Sequence, residues 1–129
     1  MSMINIDWSD HLSVGVAAVD ADHKELVGMV NELFSACFVG VGDDAVSNIL
    51  AKVIDYTQYH FTREEAFLRE HASPDLAAHA EEHRMLTEQV LAISRQGASA
   101  LSEDVLVFLR DWLTHHILET DMCSFAPYR

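Results

Sequence analysis

The chain has 129 residues, half of them hydrophobic, with 21 acidic residues against 8 basic ones and a formal net charge of −13. This length suits one domain with a single core, and the scarcity of glycine and proline favours a mostly helical domain over a disordered chain. A polyanion gains nothing from counterion release on DNA or RNA and is repelled by anionic membranes, so we expect no nucleic-acid partner and no membrane insertion.

The apolar stretches are too short to cross a bilayer, because charged residues interrupt them. The first residues contain no basic region followed by an apolar run, so we expect no secretion signal and a cytoplasmic location. The two cysteines, Cys37 and Cys123, do not form a disulfide framework.

The predicted elements are an N-terminal arm and four helices. The arm, about residues 1–18, contains Trp8 and the apolar run V-G-V-A-A-V, and we expect it to pack across the helices. Asp20 is the predicted N-cap of the first helix, and Ser73 followed by Pro74 predicts the start of the third. The helices are predicted at about 20–38, 45–71, 74–95 and 102–122.

The connections between these helices are short, and several contain glycine. Gly40 and Gly42 follow the first helix and Gly97 the third, while Ser102 precedes an acidic first turn of the fourth. Four helices with short connections predict an all-α, up-down-up-down four-helix bundle with an N-terminal arm. We expect one domain over residues 1–129, with the bundle at about 19–123.

Five histidines and two carboxylates continue the apolar stripes of the four predicted helices. These stripes repeat at steps of three or four residues, which is the period of a core-facing helix side. An apolar core does not accept unpaired polar groups, whereas a metal centre would pair all of them at once. The candidate ligands are His23, His60, Glu64, His79, His83, His116 and Asp121.

The spacing of these residues can be tested against helix geometry. The pairs His60 with Glu64 and His79 with His83 are four residues apart, so each pair lies on one helix face. His116 and Asp121 are five residues apart, which advances an ideal helix about 140° beyond a full turn. We therefore expect the fourth helix to loosen or to contain a wide turn there.

The ligand types favour iron, because imidazole with carboxylate suits that metal, whereas zinc prefers four ligands and would leave several groups unused. If two six-coordinate irons were present, five histidines, two bridging carboxylates and a bridging oxo or hydroxo group would nearly fill them. One position would remain for a small molecule such as O2. This count assumes two metals and bridging carboxylates.

The segments that carry these residues resemble the hemerythrins, most closely the single-domain bacterial ones. They are S-V-G-V-A-A-V-D-A-D-H-K-E-L, H-F-T-R-E-E, P-D-L-A-A-H-A-E-E-H and D-W-L-T-H-H-I-L-E-T-D, and the resemblance covers nearly the whole chain. It implies that one iron is held by His79, His83 and His116. It further implies that His23 and His60 hold a second iron with the open site, and that Glu64 and Asp121 bridge the two.

The resemblance implies reversible O2 binding by a carrier, storage or delivery protein that is not an enzyme. An O2-consuming enzyme is then a candidate partner. Leu26, Tyr56, Leu86 and Trp112 lie about one helical turn from the candidate ligands. Core packing accounts for these four residues, and that role is compatible with lining an O2 pocket. His115, the rival of His116, falls about 100° off the stripe and is expected at the surface.

Two alternatives remain. One is a di-iron enzyme acting on peroxide, nitric oxide or O2, but ferritin-like oxidases use Glu-x-x-His motifs and four or more carboxylates. This chain has no Glu-x-x-His, so its histidine-rich set favours binding over turnover. The other is a module that reports O2 or redox state to a separate partner.

Overall fold

The computed structural model describes residues 5–129, which form four long helices and no strand. Short connections join consecutive helices, so that neighbours run antiparallel. The predicted all-α four-helix bundle is confirmed. Its helices are α1 (Ala17–Val39), α2 (Asp43–Glu70), α3 (Leu76–Arg95) and α4 (Glu103–His115), followed by a π-helical turn (His116–Asp121, hereafter the π-turn) and the short helix α5 (Met122–Phe125).

Two of the predicted helix-end signals, at Gly40 and Ser102, are confirmed. Gly40 adopts a left-handed conformation (φ 79°) and its N–H closes the last turn of α1. The Ser102 hydroxyl accepts a hydrogen bond from the Val105 N–H, 3.3 Å away, as an N-cap does. The other two predicted caps, Asp20 and Ser73, are wrong.

In both cases a different hydrogen bond uses the side chain. The Asp20 carboxylate accepts hydrogen bonds from the arm, at the Ser13 hydroxyl and the Val14 N–H, so α1 begins earlier, at Ala17. The Ser73 hydroxyl accepts from the Asp75 N–H at 3.2 Å in a separate turn, and α3 begins only afterwards.

The arm packs along the bundle, as predicted. The Ile6 N–H donates to Asn31 Oδ1 at 2.7 Å, and Asn31 Nδ2 donates back to the Ile6 carbonyl at 2.8 Å. Ile6 and Leu12 are buried in the core. Residues 1–4 of the predicted arm lie outside the described residues. Over residues 5–129, no helix has the length and apolar character needed to cross a membrane.

Two apolar clusters divide the interior of the bundle. The larger is built from the arm, α1, α2, the connection before α4, α4 and the π-turn. The smaller contains Val14, Val19, Leu68 and Phe125. On α1 and α2 the candidate ligands fall in sequence between residues of the two clusters. The fold therefore surrounds a buried polar layer with apolar packing on both sides.

Candidate metal centre

The structure brings the seven predicted ligand side chains together in that polar layer. None of them is more than 2% exposed. Their ligand atoms fall into two overlapping groups that could each hold a metal ion, and Glu64 belongs to both. One group contains Glu64, His79, His83, His116 and Asp121, and the other contains His23, His60 and Glu64.

Glu64 directs its two carboxylate oxygens to different histidines. Its Oε2 lies 2.9 Å from Nε2 of both His23 and His60. Its Oε1 lies 3.0 Å from Nε2 of His83 and 3.3 Å from Nε2 of His79. The carboxylate therefore lies between a two-histidine group and a second set of histidines.

Asp121, in the π-turn, divides the histidines in the same way. Its Oδ2 lies 3.0 Å from Nε2 of His23, while its Oδ1 lies 2.9 Å from His79 and 3.2 Å from His116. In the three-histidine group, the Nε2 atoms of His83 and His116 are 3.2 Å apart. The nitrogen lone pairs of that group thus converge on a small volume.

The π-turn explains how His116 and Asp121 both reach this layer. Both are buried, although they are five residues apart. A π-helical turn pairs residue i with residue i+5 and so widens the helix by one residue. The predicted loosening of the fourth helix is confirmed, and it corrects the phase that a regular α-helix would have imposed.

Four of the five histidines form a contact through Nδ1, the ring nitrogen that faces away from the converging ligand atoms. The Nδ1 atoms of His60, His79, His83 and His116 lie 2.7 to 3.2 Å from an oxygen of Asp22, Ser124, Glu65 and Glu82, in that order. A proton on Nδ1 that is donated outward leaves the Nε2 lone pair pointing at the centre. The three carboxylates therefore favour the tautomer that a metal ligand needs, and the Ser124 hydroxyl is able to accept the corresponding proton from His79.

These outer partners were not predicted from the sequence. Glu65, for example, follows the candidate ligand Glu64 in the chain, but its Oε2 lies 2.9 Å from Nδ1 of His83. A signal was nevertheless present: Asp22, Glu65 and Glu82 each adjoin a candidate ligand in the chain. Each of them holds a histidine of a later element rather than its own neighbour.

Aromatic rings fix two of the imidazoles further. Phe61 stacks on His83 with ring centroids 3.7 Å apart, and Trp112 stacks on His116 at 4.8 Å. His115, by contrast, is exposed at the surface as expected, 3.9 Å from Glu119. The structure thus separates the two adjacent histidines clearly.

The buried imidazoles and carboxylates shift one another's pKa values. Burial alone would lower the pKa of His23, but the Asp121 and Glu64 carboxylates outweigh it and raise that pKa to about 10. The same balance raises the pKa of His79 and of His116 to about 9. Burial would raise the pKa of Glu64, yet the surrounding imidazoles hold it well below its usual range.

The polar layer leaves hydrogen-bonding capacity unused. Among the described residues, His23 Nδ1 and both oxygens of Asp121 are buried side-chain atoms without an aligned hydrogen-bond partner. Such groups are costly in a core unless a partner or a metal compensates them. Five imidazole nitrogens and two carboxylates are a suitable donor set for iron. The residues present therefore fit a metal centre of this kind.

An apolar cavity of about 50 Å³ adjoins this layer. Leu26, Leu86 and Trp112, three of the residues considered for an O2 pocket, lie on its wall. Tyr56 does not; its hydroxyl instead donates to Asp22 at 3.4 Å. Leu113 was missed and lies on the wall. The other lining residues are Val30, Leu33, Leu50, Val53, Thr57, Val90 and Leu109.

Comparison with known proteins identifies a sequence family that matches this chain and solved structures that share its fold. The family described as "Hemerythrin HHE cation binding domain" matches residues 14–123. A bacteriohemerythrin of Stenotrophomonas maltophilia is 30% identical over 116 residues, which are 88% of this chain and 75% of that protein. A bacteriohemerythrin of Methylococcus capsulatus is 31% identical over 109 residues, 82% of each chain.

A crystal structure of wild-type hemerythrin superposes with a TM-score of 0.87 at 28% identity and covers 95% of both chains. The family match spans most of the sequence and includes all seven buried ligand candidates. This chain therefore belongs to the hemerythrin family and is of the bacteriohemerythrin type.

Proposed function

We propose that the chain binds two irons in its polar layer and binds O2 reversibly, as a carrier, storage or delivery protein. One observation carries the proposal: Glu64 and Asp121 each direct one oxygen to a two-histidine side and the other to a three-histidine side. Two carboxylates arranged in this way suit two bridged metals, with an oxo or hydroxo group completing the bridge.

The histidines divide accordingly. We assign one iron to His79, His83 and His116. The other falls to His23 and His60, and it has one histidine fewer. When bound, this pair of irons would supply two electrons for the reversible binding of O2. The lower ligand count at the second position is consistent with an open site there.

The chain's own residues would protect that chemistry from water and protons. The cavity wall is apolar except for Thr57, whose hydroxyl donates to the Val53 carbonyl at 2.7 Å. Its proton is therefore engaged and is not directed into the cavity. A wall without a free acid supplies no general acid for O–O cleavage, which favours reversible binding over catalytic turnover.

O2 is the proposed ligand, and an O2-consuming enzyme is the proposed recipient. The di-iron enzyme alternative would need a proton donor at the cavity, and none of its lining residues is a carboxylic acid or a histidine. We therefore propose that the protein is not an enzyme. The proposed location is the cytoplasm.

The proposal is tested by loading the protein with Fe²⁺ without air and recording its optical spectrum through repeated cycles of air and argon. We expect a charge-transfer band that appears with air and disappears under argon over several cycles. An Asp121→Ala variant treated identically should show a much weaker band. Rapid consumption of O2 without a recoverable oxygenated form would overturn the carrier proposal in favour of an enzyme.

A further inference from the structure

The π-turn needs support that the helix itself does not supply. Turns of this type are rare and occur as single interruptions of α-helices, often at functional sites. Here the π-turn carries both His116 and Asp121 into the polar layer. Whatever holds it in place also holds two of the seven candidate ligands.

One carboxylate from the facing helix contacts the π-turn at two points. Glu82 Oε1 lies 2.7 Å from Nδ1 of His116. The Thr120 hydroxyl donates to the same carboxylate, 2.8 Å from Oε1 and 2.9 Å from Oε2. The two contacts are at the first and the fifth residue of the π-turn. Glu82 therefore spans nearly its whole length.

Glu82 does not belong to either group of converging ligand atoms. It lies on α3 between His79 and His83, and its side chain remains about a third exposed. Its contacts join α3, which bears two of the candidate ligands, to the π-turn, which bears two more. Glu82 therefore links the two elements through its hydrogen bonds.

We propose that Glu82 is a positioning residue that preorganises the metal centre by fixing the π-turn to α3 through His116 and Thr120. This inference rests on the proposed function, since it concerns the same site. The carboxylate sets the ring orientation of His116 and, through Thr120, the position of the adjacent Asp121 before any metal arrives.

A substitution at Thr120 distinguishes the positioning role of Glu82 from a simple effect of its negative charge near the site. Thr120→Val removes the hydrogen bonds to Glu82 but changes no charge and little volume. Glu82→Ala removes both contacts, while Glu82→Gln keeps an oxygen that can accept from His116. Glu81→Ala is the matched control, because Glu81 is the preceding residue on α3 and forms an exposed pair with Arg84.

The first experiment measures Co²⁺ affinity by chelator competition in all four single variants and in the Glu82→Ala/Thr120→Val double variant. We expect Glu82→Ala to weaken binding about 10- to 100-fold. Thr120→Val should weaken it less, and Glu82→Gln should fall between Glu82→Ala and the wild type. The double variant should match Glu82→Ala alone, because both changes remove one shared contact.

Three results would overturn the inference. The first is wild-type affinity in Thr120→Val, and the second is a double variant in which the two losses multiply, since either would make Thr120 independent of Glu82. The third is an equal affinity in Glu82→Ala and Glu81→Ala. Thr120→Val and Glu82→Gln are conservative, so the test does not depend on Glu82→Ala folding.

A second experiment needs no metal. Amide hydrogen exchange of the metal-free protein should be faster over residues 116–121 in Thr120→Val and Glu82→Ala than in Glu81→Ala. Unchanged exchange would contradict the proposal that Glu82 fixes the π-turn to α3. If the wild type instead takes up no iron while the variants still loosen the π-turn, the proposed function fails and the positioning role of Glu82 stands.

Discussion

The indole ring of Trp112 stacks on the imidazole of His116, with ring centroids 4.8 Å apart and ring planes 13° apart. Trp112 also lies on the wall of the apolar cavity. It therefore contacts a candidate iron ligand on one side and the proposed O2 pocket on the other. Its environment should report directly on the state of the centre.

Iron loading should quench the fluorescence of Trp112, because a metal on His116 would lie within a few ångströms of the stacked indole. The chain has one other tryptophan, Trp8, which lies in the arm beside Lys24. A Trp8→Phe variant should keep the quenching during an Fe²⁺ titration, and Trp112→Phe should lose it. Equal quenching in both variants would contradict the assignment of His116 as a ligand.

The two carboxylates can be tested by their effect on iron content. Glu64→Ala or Asp121→Ala should lower the iron content well below the expected value of about two per chain, because each change removes a donor from both metal positions. His115→Ala should be nearly silent, since His115 is exposed. Metal analysis of purified protein provides the measurement. Loss of iron in His115→Ala with retention in His116→Ala would reverse the assignment.

The sequence predicted which seven side chains meet in the polar layer because helix periodicity is a local property. His60 with Glu64 and His79 with His83 follow from a four-residue spacing alone. The wide turn before Asp121 was also predictable, because five residues do not fit a regular α-helix. In both cases the spacing along the chain is enough to tell which side of the helix each residue occupies.

The outer hydrogen-bond partners could not be predicted in this way, because each contact joins two elements. Asp22 on α1 holds His60 on α2, Glu65 on α2 holds His83 on α3, and Glu82 on α3 holds His116 in the π-turn. Which acid faces which histidine depends on the rotation of neighbouring helices about their axes. Sequence spacing does not contain that information.

The cap at Asp20 was mispredicted for the same reason, and the hydroxyl contact of Tyr56, which packs against the larger apolar cluster as expected, was not predicted. Asp20 has the sequence signal of an N-cap, but Ser13 and Val14 of the arm occupy its carboxylate. Tyr56 precedes His60 by one turn, yet its hydroxyl turns to Asp22 and leaves the cavity wall to Thr57. Tertiary contacts decided both positions.

The metal-free protein should lose stability at alkaline pH. The pKa values of His23, His79 and His116 are raised to about 10, 9 and 9, above the ordinary value of 6.5 expected when the chain is unfolded. A raised folded-state pKa contributes stability that is fully present below pH 6.5 and is lost as the pH rises through 9 to 10. The melting temperature of metal-free protein should therefore fall over that range.

The metal-free protein should also lose stability in acid, and this loss should come from Glu64. Its pKa is held well below 4.5, so its contribution is present above that pH and is lost as the pH falls further. Thermal melts of metal-free protein from pH 2 to 10.5 would show both the acid and the alkaline loss of stability. His115→Ala serves as the control, because an exposed histidine should leave the alkaline loss unchanged. A melting temperature that does not change between pH 7 and 10 would contradict the buried imidazole–carboxylate network.

Polar substitution of the cavity wall should shorten the life of the oxygenated protein. Leu86 lies three residues after His83 and is buried on the wall. Leu86→Gln would admit water to the wall of the proposed O2 cavity within one turn of a candidate ligand, and proton delivery drives irreversible loss of reduced oxygen species. We expect the optical band of the oxygenated form to decay severalfold faster than in the wild type.

The matched control is Leu50→Gln, because Leu50 lines the same cavity and is equally buried. It is ten residues from His60 on α2, which corresponds to about 15 Å along the helix axis. Both variants bury an amide in the same apolar wall, so they should lose comparable thermal stability. Only Leu86→Gln should accelerate the decay, because only its amide lies within a turn of a candidate ligand. Equal acceleration in the two variants would show that general loosening of the core, rather than proton access at the centre, limits the lifetime of the oxygenated form.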